Sequence, residues 1–202
     1  MLFRSSADTV TLSYAFTQPG VYNVMLTVTD DDGGSGSATT VNDLPAYVVV
    51  YDPSAGFVTG GGWINSPAGA YIADLTLTGK ATFGFVSQYK KGATAPTGQT
   101  EFQFKAGDLN FHSSTYAWLV VSGARAQYKG SGKINGAGNF GFMLTAIDGQ
   151  LNGGGGSDKF RIKIWDKNNG DAIVYDNQLG ADDAVNPTTV LSGGSIVIHK
   201  PK

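Results

Sequence analysis

The chain has 202 residues, 11% of them aromatic, with 29 Gly and no Cys. That is enough for one large or two small domains with a real core, and it excludes disulfides, thiol nucleophiles and cysteine–zinc sites. Charged residues make up only 15% and the formal net charge is -2, so there is no basic stripe to displace counterions from nucleic acid. No apolar run reaches the length of a membrane span, which argues against membrane insertion. Glu101 is the single glutamate and every other acid is Asp, a residue that favours turns over helices.

Residues 1–52 read as strands and turns. Val10, Leu12, Tyr14 and Phe16 alternate with their neighbours over Thr9 to Phe16, the period of a half-buried strand. Gln18-Pro19-Gly20 makes a turn, and Val21 to Asp30 alternates again. Asp30-Asp31-Asp32-Gly33-Gly34 is a turn with three adjacent carboxylates, and Tyr47 to Tyr51 is a last short strand. The run from Tyr14 to Gly34, with Pro-Gly-x-Tyr followed by L-T-V-T-D, resembles the C-terminal half of a PKD domain. That family is an immunoglobulin-like β-sandwich of extracellular proteins. Its earlier strands and its W-x-F-G-D-G turn have no counterpart here, so the resemblance implies half a sandwich with an uncovered apolar face. The expectation is a segment that docks on its neighbour or pairs with a second chain as a homodimer.

Asp52-Pro53-Ser54-Ala55-Gly56 is a linker by composition, which divides the chain into 1–52 and 53–202. Beyond it, strands are expected at 80–89, 100–105, 117–129, 138–147, 159–165, 172–175 and 194–199. Phe102 and Phe104 point one way, Glu101, Gln103 and Lys105 the other. Gly, Asn, Asp or Pro separate the strands, and no amphipathic helix of useful length appears. The fold class is all-β: a partial immunoglobulin-like segment plus a β-sandwich, either jelly-roll-like or a flattened barrel. F-V-T-G-G-G-W-I, G-K-A-T-F-G-F-V, E-F-Q-F-K-A-G-D-L-N-F-H-S, G-F-M-L-T-A-I-D-G and D-K-F-R-I-K-I-W-D, within 57–199, resemble the post-COAP domain found at the C-terminal end of bacterial surface and secreted proteins. That family carries no assigned chemistry, so the resemblance implies a habitat and no functional residues.

Calcium is the one cofactor the Asp-rich composition suits. The candidate ligands are Asp30 and Asp32 at the first turn, and Asp148 with Asp158 around the Gly153–Gly156 loop. Asp166 to Asp171 looks like the start of an EF-hand but lacks the late Glu, and Asn169-Gly170 is better read as a hairpin turn. His112, with Asp108 and Ser113 close in sequence, is a weak catalytic candidate, because neighbours on one loop rarely form a Ser-His-Asp geometry. The nucleophile elbow G-x-S-x-G is absent. In Phe160 to Trp165, Arg161, Lys163 and Trp165 share the face opposite Phe160, Ile162 and Ile164. A Trp beside cations on an outward face can stack on a sugar ring or bury at a protein contact, but edge packing against a neighbouring loop with cation–π support is the stronger reading. Trp63 and Trp118 read as core.

The expected function is non-catalytic: a spacer and interaction module of a bacterial surface or secreted protein, adhesive or glycan-contacting, with a protein or polysaccharide surface as partner. The start, Met1 to Val10, lacks the apolar core of a signal peptide, so an extracellular protein with this start would be a piece of a longer one. The alternative is a hydrolase acting on an extracellular polymer or ester, which would show Asp and His converging in a cleft.

Overall fold

A computed structural model describes residues 13–41, 44–54 and 56–200. It is all-β, with one short 3-10 turn at Lys105–Gly107. The first strands are β1 (Gly20–Asn23), β2 (Leu26–Thr29), β3 (Ser35–Ala38), β4 (Thr40–Val41), β5 (Leu44–Pro45) and β6 (Tyr47–Val50). β2 pairs antiparallel with β3, and β1 with β6. The Val24 N–H donates to the Ala46 carbonyl and the Ala46 N–H to the Thr39 carbonyl. Together they form one long ribbon whose return strand loops out as the β4–β5 hairpin. Of the strand expected over 9–16, residues 9–12 lie outside the described residues and 13–16 carry no strand. The strand expected over 21–30 breaks at Val24-Met25, where pairing passes from β6 to β3.

The remaining strands are β7 (Phe57–Ser66), β8 (Gly79–Gln88), β9 (Thr97–Phe104), β10 (Leu109–Ser122), β11 (Arg125–Ile134), β12 (Ala137–Ile147), β13 (Lys159–Asp166), β14 (Ala172–Asp176) and β15 (Gly193–His199). They form one nine-stranded antiparallel sheet in the order β14-β13-β12-β11-β10-β9-β8-β7-β15. Strands that follow one another in sequence lie side by side, and only β15 returns to flank β7. The sheet curls on itself. Phe83 of β8 stacks on Phe160 of β13 with ring centroids 4.1 Å apart, and Phe102 of β9 lies 4.7 Å from Tyr175 of β14. Rings from strands several places apart meet because the sheet rolls over on itself. β14 and β15 do not pair, so it is a flattened barrel left open at one seam, and the consecutive strand order fits that architecture and not a jelly roll.

β7 was not among the expected strands, because three consecutive glycines imitate a loop. Packing explains two of them. A Cβ on Gly60 would enter the Phe85 ring, and one on Gly62 would meet the Gly193 backbone. Likewise the run 117–129 is two strands, with Gly123 at positive φ in the tight turn between β10 and β11.

The two ends of the sheet need partners for their open edges. At β14 the Asp176 N–H donates to the Ala70 carbonyl, and the Ile72 N–H to that of Val174. At β15 the partners are side chains. The Ile196 N–H donates to Asp158 Oδ2 at 2.7 Å and the Ile198 N–H to Asp148 Oδ2 at 2.9 Å. The other oxygens of these carboxylates accept from the N–H groups of Gly149 (2.7 Å) and Gln150 (3.0 Å). Both aspartates are buried. Because an unpaired buried donor costs about 1–3 kcal/mol, Asp158→Ala, which orphans two of them, should cost about 3 kcal/mol. For a domain of this size that lowers Tm by roughly 6–12 °C. An unchanged Tm would mean that β15 is held by something else.

The interior also buries phenols. Tyr128 and Tyr175 are fully buried, bonded to Thr100 Oγ1 at 2.9 Å and Ser66 Oγ at 2.9 Å. Burial pushes both phenols well above their ordinary value. A phenol that ionises less readily folded than unfolded stabilises the fold below the unfolded value of about 10 and loses that contribution as pH rises further. Stability should therefore fall steeply above about pH 10. An alkaline absorbance titration should show these two of the nine tyrosines ionising only with unfolding. Smooth ionisation of all nine in the folded state would contradict this.

Candidate functional site

His112 and Ser113 are adjacent on β10 and so face opposite sides of the sheet. The Ser113 hydroxyl turns inward, bonded to the Tyr116 hydroxyl at 3.0 Å and to the Thr100 N–H at 2.9 Å. His112 faces out, with its Nδ1 3.4 Å from Glu101 Oε1, and both side chains are at least half exposed. Asp108 caps the 3-10 turn in a left-handed conformation. The three residues do not converge into a Ser-His-Asp arrangement.

Arg161, Lys163 and Trp165 do lie on the outer face, but that face is covered. Residues 181–183 cross over it. Arg161, only 3% exposed, forms a two-point ion pair with Asp176 at 2.9 and 2.8 Å and donates to the carbonyls of Asp182 and Ala181. Burial alone would lower the Arg161 pKa. The hydrogen bond and charge of Asp176, with the charges of Asp183 and Asp182, more than offset it, so the guanidinium stays charged. Lys163 pairs with Asp183 at 3.0 Å. Both cations therefore act as clamps on the covering segment. Trp165 takes the packed reading, 8% exposed with Lys129 Nζ 5.2 Å from its ring centre. Trp63 and Trp118, expected in the core, are instead half-buried on the outside, which is a correction. In β7 the even positions Val58, Ile64 and Ser66 point inward, which puts Trp63 out. Periodicity assigns faces, but it cannot say which outer face a later loop will cover.

Asp30 and Asp32 are exposed at the tip between β2 and β3, where Asp30 Oδ1 accepts from the Gly34 N–H at 2.6 Å. Asp148 and Asp158 belong to the β15 edge. The structure does not merge the two pairs, and among the described residues no three His, Asp or Glu side chains gather as a metal cluster. Asn169-Gly170 lies at the turn joining β13 to β14.

The ribbon docks at its β1–β6 end. Asn23 Nδ2 donates to Asp182 Oδ2 at 2.9 Å, Lys129 Nζ donates to the Tyr47 hydroxyl at 2.9 Å, and Tyr51 stacks on Tyr89 with centroids 5.5 Å apart. Residues 4–43, mostly within this ribbon, match the family model of the PKD domain. The N-terminal segment is PKD-like. The match leaves the barrel outside it, and no curated protein and no solved structure matches the chain. No helix among the described residues is long and apolar enough to cross a membrane, which does not bear on β-barrels.

Sequence reasoning missed the surface left open by the barrel, the outer face of β7, β8, β9 and β10. Strand register sets its side chains in two rows. Trp63, Thr82, Gln103 and Asn110 form one; Gly61, Gly84, Glu101 and His112 form the next. Around Gly84 the rows enclose a shallow depression of about 370 Å³ lined by Thr82, Glu101, Gln103, Asn110 and His112. Gly61 and Gly84 have ordinary strand φ, and a Cβ on either would stand in nearly open space. Neither backbone conformation nor packing calls for these glycines. Their effect is to leave the face flat between Trp63 and the polar side chains.

Proposed function

We propose that the chain is a non-catalytic interaction module of a bacterial surface or secreted protein that contacts a polysaccharide through the open face of β7–β10. The PKD-like segment supports the extracellular, spacer part of this reading, and the resemblance of 57–199 to the post-COAP domain supports the same setting. The observation that carries the contact is the pair Gly61 and Gly84. Glycine in a strand interior costs stability, and one use of it is to let another molecule approach the backbone closely. Here the bare floor is bordered by an aromatic ring, two amides, a carboxylate and an imidazole, groups that pair with sugar hydroxyls and stack on sugar rings. Trp63 is steadied by Lys80, whose Nζ lies 4.8 Å from the ring centre. From the Trp63 strand to the Asn110 strand is about 14 Å at ordinary strand spacing, a span for a short stretch of polymer.

Gly84→Thr separates this role from a structural one. A β-branched residue on an open strand face should leave Tm unchanged or raised, within about 1 kcal/mol. Retention on insoluble polysaccharides such as peptidoglycan, chitin and cellulose should occur for at least one of them and weaken about tenfold or more, some 1.4 kcal/mol, in Gly84→Thr and in Trp63→Ala. Retention on none, or equal retention by both variants, would sink the reading.

A homodimer through the ribbon belongs to the same proposal. Leu26 and Val28 are 60% and 61% exposed, and no Lys or Arg lies between Arg4 and Lys80 to guard the ribbon's edges. If the ribbon pairs with a second copy, sedimentation should show a concentration-dependent dimer that Val28→Asp dissolves. A monomer at every concentration would remove this part.

A further inference from the structure

A second cleft, of about 300 Å³, lies over β11–β13 on the covered side of the barrel. It does not depend on the open face. Its floor is the cross-strand row Thr115, Ser131, Gly141 and Trp165. The Trp165 indole lies across the Gly141 backbone, where any Cβ would collide with Cε2, Nε1 and Cζ2. Lys129 Nζ sits 5.2 Å from the centre of the indole ring. Tyr116 and Ala117, from the bulged part of β10, form one wall, and Lys167 and Asp171, from the β13–β14 turn, form the other. Thr115 Oγ1 and Ser131 Oγ are 2.6 Å apart at the base.

The chemistry is one-sided. The indole of Trp165, itself more than nine-tenths buried, lines the cleft, and none of the side-chain hydrogen bonds of the described residues uses its N–H. Neither Lys129 nor Lys167 has a carboxylate within ion-pair distance among the described residues, the only bond of Lys129 Nζ being to the Tyr47 hydroxyl. The cleft thus offers an indole N–H, two ammonium groups and two hydroxyls, against one carboxylate, Asp171. Donors in such excess suit an acceptor-rich anion. The volume is at the small end for a ligand site and suits a single ring.

We propose that this cleft binds one carboxylate-bearing pyranose, a uronic-acid-type sugar. Its carboxylate lies between Lys129 and Lys167 and within reach of the Trp165 N–H. Its apolar ring face rests over Gly141 and the edge of Trp165. Its hydroxyls exchange hydrogen bonds with Thr115, Ser131 and Asp171.

The probe is glucuronate, followed on the full chain by the three indole N–H signals in a ¹H–¹⁵N spectrum, with Trp165 assigned by its loss in Trp165→Phe. A saturable shift of that signal is expected, with Kd in the millimolar range and about tenfold weaker binding in Lys167→Gln. Lys167 is exposed, so this variant folds; Lys129→Gln should act in the same direction. No shift up to about 50 mM glucuronate overturns the proposal. So does an equal shift with glucose, which lacks the charge, or with acetate, which lacks the ring. Unweakened binding in Lys167→Gln overturns it as well. None of these outcomes bears on the open face, which is tested by Trp63 and Gly84.

Discussion

A rolled sheet must satisfy the backbone groups at its two ends, and here two buried carboxylates meet that need for β15. Asp148 and Asp158 accept from the N–H groups of Ile198 and Ile196 with one oxygen each, and from their own turn with the other. A neighbouring strand could have supplied carbonyls instead, but β13 lies between β12 and β14, and the outer edge of β14 bonds to Ala70 and Ile72. The carboxylates bridge the gap. Their charge is met by four amide dipoles, a legitimate way to bury an anion. With Ile196 and Ile198 held inward, the interior closes over Phe83, Phe102 and Phe160.

Closure also divides the outside into two surfaces of different character. Over β11–β13, the Arg161–Asp176 pair and the Lys163–Asp183 bridge hold residues 181–183 in place, and Gln127 Nε2 adds a bond to the Asp183 carbonyl at 2.6 Å. Buried pairs of this kind are weak evidence for stability, and their use here is to fix the position of one loop. What that loop leaves bare beside Trp165 is a donor-lined cleft. Over β7–β10 no described segment crosses, and glycines keep the surface flat. The PKD-like ribbon touches the barrel through Asn23, Tyr47 and Tyr51 and leaves its far end in solvent.

Much of this was legible from the residues. Alternation located β8, β9, β12, β13, β14 and β15 to within a few residues, and Asn169-Gly170 announced its hairpin, because period and turn chemistry act locally. β7 was hidden, since a glycine placed to admit the Phe85 ring looks like a glycine placed to bend. The open face was hidden for a related reason: Gly61 and Gly84 carry no side chain to notice, and Glu101 and His112 meet only through the β9–β10 register.

By itself, the sequence determined that the described chain is β, that 160, 162 and 164 share an inner face, and that a segment matched over residues 4–43 is PKD-like. Each follows from periodicity, composition or a contiguous motif. Only the tertiary structure decided what each outer residue does. Trp165 and Trp63 both occupy outward positions, yet one is packed across Gly141 beside Lys129 and the other borders bare backbone. Asp148 and Asp158 have the residue type and the glycine loop of a cation site, yet they face a strand edge contributed from 50 and 38 residues further along. Local pattern sets which side of the sheet a side chain takes; what meets it there depends on contacts between segments far apart in the chain.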